Sequence, residues 1–119
     1  MNVIDASVIE QLVLQIGPQN MRTVVSKVEQ DVPMQWQKLV KSCREFDSDN
    51  TERQLHSLAS MFRSVGLIQI GDALASLEQK LRSGESIDIA SINALEVVKL
   101  KSMGALTMHM EQELQLAPL

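Results

Sequence analysis

Apolar side chains recur every third or fourth residue along nearly the whole chain, a spacing that lines one face of a helix. Ile9, Leu12, Val13 and Ile16 open the pattern. Met21, Val25, Val28, Val32, Trp36, Leu39 and Cys43 continue it on a second stripe, and Ile70, Leu74, Leu77 and Leu81 repeat it. Ile92, Leu95, Met103, Leu106 and Met110 close it. No segment alternates as a half-buried strand does. Composition agrees: 45% of residues are hydrophobic but only 3% are aromatic, whereas β-rich cores lean on aromatic and β-branched residues. A chain of 119 residues can bury roughly two thirds of its unfolded surface, enough for a core without disulfide or metal. No repeat, low-complexity tract or flexible linker interrupts it, so residues 1–119 are expected to form one domain.

Turn and cap residues divide the pattern. Asp5 is placed to cap a short first helix that Gly17 ends, and Pro18 fits the first turn of the next. The second stripe survives Pro33, which predicts either one kinked helix or two stacked pieces with Asp31 as the second cap. Ser48, Asp49 or Asn50 can cap a third helix running to about Val65. Gly84 ends the fourth, and the fifth spans roughly Asp88 to Leu114. The expected fold is all-α: an antiparallel, up-down-up-down four-helix bundle with a short N-terminal lead-in helix.

Eleven basic against fifteen acidic residues give a net charge of -4. Phosphate neutralisation supplies most nucleic-acid affinity, so an acidic chain with no basic run argues against such a partner. Cys43 is the sole cysteine, which excludes an internal disulfide and any CxxC pair. The opening residues, Met1-Asn2-Val3-Ile4-Asp5, lack the basic and apolar regions of a signal peptide, and nowhere do eighteen apolar residues run together. A cytoplasmic protein without a membrane span is expected. A closed bundle with no obvious spare apolar face points to a monomer.

The third helix carries the informative residues. At 100° per residue, Leu55, Leu58, Met61, Phe62 and Val65 cluster toward the core. His56 lies across the helix from them, and its outer-face neighbours are Arg53, Ala59, Ser60 and Arg63. This predicts a solvent-accessible imidazole in mid-helix, with small side chains on its C-terminal side. An ordinary surface histidine, or a half-buried one bonded to a neighbour, would read the same way from spacing alone.

The wider pattern resembles the histidine phosphotransfer (HPt) family, whose signature is a His, a Leu two on, a Lys, a small residue, and a Gly at ten. His56, Leu58, Ser60 and Gly66 occupy those places, and Leu77-Glu78 match the family's later Leu-Glu. Ile70 fits an apolar position on the following helix, and Ile4-Asp5 leading into Ile16-Gly17 resembles the family's N-terminal half. The likeness spans about residues 3 to 85. It departs at one place: the family's Lys, three after the histidine, is Ala59 here. The resemblance implies a phosphoryl carrier rather than an enzyme, with His56 as acceptor and Ser60, Ala59, Gly66, Arg63 and Arg82 as supporting or docking residues. Arg63 lies close to His56 on the wheel, where its side chain could reach back to it. Gly71, Ala75, Glu78 and Arg82 form a second small-and-polar stripe on the fourth helix that can line the histidine.

The implied chemistry is modest. A neutral imidazole keeps one ring nitrogen free as a nucleophile, and phosphoryl transfer needs mainly in-line positioning and charge neutralisation. The implied partner is a response-regulator receiver domain or a hybrid sensor histidine kinase, and Mg²⁺ belongs to the receiver's aspartate pocket. No cofactor is expected on this chain, and no nucleotide loop or G-x-x-x-x-G-K motif occurs. A zinc site would need several close ligands, whereas His56, His109 and Cys43 are far apart in sequence. The dimerisation helix of a sensor kinase usually follows its histidine with an acidic residue, where this chain has Ser57. Ala59 keeps another reading open: a degenerate module that docks a receiver or kinase without carrying phosphate. An unrelated helical adaptor is a third. His109, between Met108 and Met110, is expected to be an ordinary helix residue.

Overall fold

The structure, a computed structural model, describes residues 3–116. Five α-helices make up these residues, without a strand: α1 Ala6–Ile16, α2 Pro18–Arg44, α3 Ser48–Ser64, α4 Ile68–Arg82 and α5 Ile89–Leu116. Helix α2 packs on α3, α3 on α4, α4 on α5, and α5 back on α2, while α1 lies against α2. Ile9, Met21, Leu39, Leu55, Leu58, Phe62, Leu67, Ile70, Leu74, Ile92 and Leu106 are fully buried between them. Each apolar stripe read from the sequence contributes to this core. Met110 is buried with it, Met103 is half-buried at its edge, and Met108 is exposed.

The helix ends follow local chemistry. Asp5 caps α1 by accepting from the Ser7 backbone N–H and the Ser7 hydroxyl, bonds that hold its carboxyl below the ordinary aspartate range. Gly17, at φ 84°, donates its N–H to the Val13 carbonyl and closes the helix, and Pro18 begins α2. At the start of α3 the cap is Asp47 rather than Ser48, Asp49 or Asn50. Its carboxylate accepts from the Asn50 N–H at 3.2 Å and from the Asn50 amide at 2.6 Å, and Ser48 is already helical. Adjacent acidic and polar residues are interchangeable as caps in sequence, and the chain's exit from α2 through Phe46, at φ 56°, selects the first of them.

Helix α2 runs unbroken through Pro33. The ring removes the N–H that would bond the Glu29 carbonyl, but Val32 and Trp36, on either side of it, are both buried. Core contact therefore holds the two halves in one helix. Asp31 is no cap; it lies 3.5 Å from Lys27 in an i,i+4 pair. Lys99 of α5 sits over the Trp36 ring, 4.6 Å from its centre, and ties α5 to the same stretch.

One glycine fixes the relation of α1 to the rest. Gly66, in the turn between α3 and α4, has φ 81°, and its carbonyl accepts from the Asp5 N–H at 2.7 Å. A Cβ there would meet the Asp5 carbonyl oxygen at 2.9 Å and Ile9 at 3.2 Å. The expectation of no spare apolar face does not hold for α5: Val97, Leu100 and Met108 are all exposed on it.

Candidate functional site

Helix α3 presents Leu55, Leu58 and Phe62 to the core and leaves His56 in the open, its side chain 62% exposed. The imidazole is nevertheless held. Its Nδ1 is 3.0 Å from Oε2 and 3.3 Å from Oε1 of Glu78 on α4. An ionised carboxylate can only accept, so the hydrogen bond assigns a proton to Nδ1, and in the neutral ring the lone pair is then on Nε2.

Glu78 is the reverse of its partner, with a side chain only 8% exposed. A buried carboxylate needs compensating donors. His56 supplies one, and Arg82, one turn along α4, supplies another through Nη2 at 2.6 Å from the same Oε2. The Arg82 Nε donates to Glu52 Oε1 of α3 at 2.9 Å. These carboxylates, foremost Glu52 as the acceptor of that hydrogen bond, hold the guanidinium pKa above its ordinary value. A chain of charge thus crosses from α3 to α4 and back. Asp49, Glu52, Arg53, His56, Glu78 and Arg82 line an open groove of about 450 Å³ along it.

The other residues singled out from the sequence fall in different places. Ser60, one turn beyond His56, is exposed. Arg82 lies beside the histidine through the shared Glu78 oxygen. Arg63 does not reach back: its Nη2 and Nε donate to Asp72 of α4 at 2.7 and 3.0 Å. Ala59 is not on an open face but buried, 3% exposed, because α4 covers that flank of α3. The close approach is visible at Gly71, where a Cβ would lie 3.3 Å from the Ala59 carbonyl and 2.7 Å from Cγ of Arg63. Gly66 sits under α1 in the turn, roughly 15 Å along the helix from the histidine at 1.5 Å per residue, and serves the turn rather than a docking face. Spacing places Glu78 on the stripe that can line the histidine without marking it as the partner of the ring, and it gives Glu52 no place in the site. An i,i+4 Glu-Arg pair on a stripe of small residues was the available signal.

Among the described residues no group of three or more His, Cys, Asp or Glu side chains is set to hold a metal ion, and no helix is long and apolar enough to cross a membrane. An exposed imidazole with a defined tautomer, beside a groove carrying two arginines, is equipped for nucleophilic phosphoryl exchange. Residues 23–115 match the family model for the Hpt domain. The chain belongs to the Hpt domain family. The match takes in most of α2, all of α3 and α4 and nearly all of α5, and leaves α1 outside, so it lies further along the chain than the expected likeness over residues 3 to 85. No curated protein and no solved structure matches the chain. Hpt domains are phosphocarrier modules of phosphorelays that interact with receiver domains or kinases. In this Hpt chain the resting charge on the groove is shared between helices, with no lysine beside the histidine.

Proposed function

We propose that this Hpt protein accepts and donates phosphoryl groups through His56, exchanging them with receiver-domain aspartates in a two-component phosphorelay. The observation that carries this reading is the exposed His56 imidazole whose Nδ1 is fixed on the buried Glu78 carboxylate. Nε2 attacks the phosphorus of an aspartyl phosphate, an N–P bond forms, the acyl P–O bond breaks, and the receiver carboxylate leaves with its electron pair. The ring gains positive charge in that step, and Glu78 stabilises it through Nδ1–H, much as a buried carboxylate supports a catalytic imidazolium. Reversal returns the group to another aspartate. Positioning and charge neutralisation are the main demands of such a transfer.

In this reading residues 1–119 form one cytoplasmic domain, its long helices an antiparallel four-helix bundle with α1 as the lead-in. The chain is a carrier, not an enzyme. It needs no cofactor of its own, since the receiver's aspartate pocket supplies Mg²⁺. The chain is taken to act as a monomer. Ser60, exposed one turn from the acceptor, belongs to the face a receiver must cover.

Ala59 favours a second reading, a docking module that binds a receiver or kinase without carrying phosphate, because the family's lysine is missing. Incubation with a phosphorylated receiver separates the two. Label on the wild-type chain that is acid-labile, base-stable and abolished by His56→Gln supports the carrier. Binding without label supports the docking module, and undiminished uptake by the variant removes His56 as the acceptor.

A further inference from the structure

Arg82 bonds two carboxylates that have different fates once His56 carries phosphate. Its Nη2 shares Glu78 Oε2 with the imidazole Nδ1, at 2.6 and 3.0 Å, so guanidinium and ring are second neighbours through one atom. Its Nε is held the other way, by Glu52 Oε1 at 2.9 Å. Glu52 stands four residues before His56 on α3 and lines the same groove. A phosphoryl group on Nε2 would bring close to two negative charges into this space. The position where the family keeps its cation is closed, because Ala59 is buried under α4.

We infer that Arg82 is the cation that neutralises phosphohistidine in this chain, and that Glu52 is a positioning residue that holds the guanidinium at rest and gives it up when His56 is phosphorylated. The inference rests on the carrier reading and deepens it. Arg82 is suited to the exchange. It is half-exposed, its planar fork matches phosphoryl oxygens, and its Nη2 anchor on Glu78 stays in place while Nε changes partner. The Glu52 carboxylate, 33% exposed on the groove wall, is then left to the screening of the open groove.

The exchange makes a prediction of sign that a plain structural ion pair does not. Loss of either partner of a stabilising salt bridge moves a property in the same direction. Here Glu52→Gln frees the arginine and raises the phosphorylated fraction, whereas Arg82→Gln lowers it.

The test uses the full chain with phosphoramidate as a subsaturating small-molecule donor, and reads the steady phosphohistidine fraction by ³¹P NMR. Exposed charge pairs set the scale at about two- to fivefold in each direction. The double variant is expected at the Arg82→Gln level, Arg82→Lys part-way back to wild type, and Arg53→Gln closer to wild type than Arg82→Gln. The Arg82 Nε–H resonance should shift on phosphorylation of the wild-type chain. Equal or same-direction effects of Glu52→Gln and Arg82→Gln overturn the exchange, as do additive effects in the double variant, which would make Glu52 a simple repelling charge. An Arg53→Gln loss as large as that of Arg82→Gln also overturns it. A chain that takes label from neither phosphoramidate nor a phosphorylated receiver overturns the carrier reading itself.

Discussion

His56 and Glu78, twenty-two residues apart, meet at 3.0 Å with opposite exposures, the imidazole open to solvent and the carboxylate buried behind it. In the proposed transfer this pairing directs the ring as the nucleophile. A free surface histidine samples both tautomers and several rotamers, whereas this one has its Nδ1 proton committed and its Nε2 aimed outward. The carboxylate is itself fixed by Arg82, so the orientation rests on α4 rather than on the mobility of one side chain.

Glu78→Gln tests that commitment with little change of shape. The amide oxygen can still accept from Nδ1–H, but the charge that steadies the developing imidazolium is gone. Hydrogen bonds to charged groups exceed neutral ones by about 1 kcal/mol, so transfer from a phosphorylated receiver should slow roughly five- to tenfold. Rapid-quench measurement of phosphohistidine formation checks it. An unchanged rate would show that Glu78 contributes burial only.

Ser60→Trp places an indole one turn from the acceptor on the open side of α3. Transfer from a receiver should fall sharply, because the incoming aspartyl phosphate must approach within bonding distance of Nε2. Stability should change by no more than about 0.5 kcal/mol, as surface substitutions do. Equal transfer by this variant would put the docking face elsewhere.

Ala59→Lys restores the family's residue at a position that α4 covers. Four extra heavy-chain atoms must be accommodated where Ala59 is 3% exposed. Overpacking of this kind costs about 1–3 kcal/mol, read as a lowered urea midpoint. Any gain in phosphohistidine should therefore come with a loss of stability. A variant as stable as wild type would show that the lysine stem escapes between α3 and α4 without moving them.

Helix α1 is tied down by a backbone contact that admits no side chain. Gly66→Ala forces a Cβ into a left-handed conformation, worth roughly 1–2 kcal/mol, and into the Asp5 carbonyl oxygen at 2.9 Å. Unfolding should show a loss of about 2 kcal/mol or more, with amide exchange of α1 accelerated most. Acid should loosen the same helix. The Asp5 carboxyl is depressed by its bonds from Ser7, so the stability it lends is present above the ordinary aspartate range and is lost as pH falls through the lower folded value. Exchange of the α1 amides below about pH 4 measures it, and Asp5→Asn should flatten the dependence.

Much of this molecule is fixed by residues that lie within one helical turn of each other. The inward stripe of Leu55, Leu58 and Phe62, the outward His56, the Asp5 cap and the Gly17 stop all depend on spacings of one to four residues, and the sequence displays those spacings directly. What it does not display is which flank of a helix its neighbour will cover. The helical wheel sets Ala59 and Ser60 on either side of His56 as equals; α4 buries the first and leaves the second exposed. Arg63 lies on the wheel beside His56, yet its guanidinium finds Asp72 across the helix pair. The bond from His56 to Glu78 and the hold of Glu52 on Arg82 join residues from separate helices. Periodicity decides that a face is apolar, because every turn of a helix repeats the same local geometry. Only the packing of α3 against α4, set by the volumes that meet at Gly71 and by the buried carboxylate's need for donors, decides which polar groups complete the site.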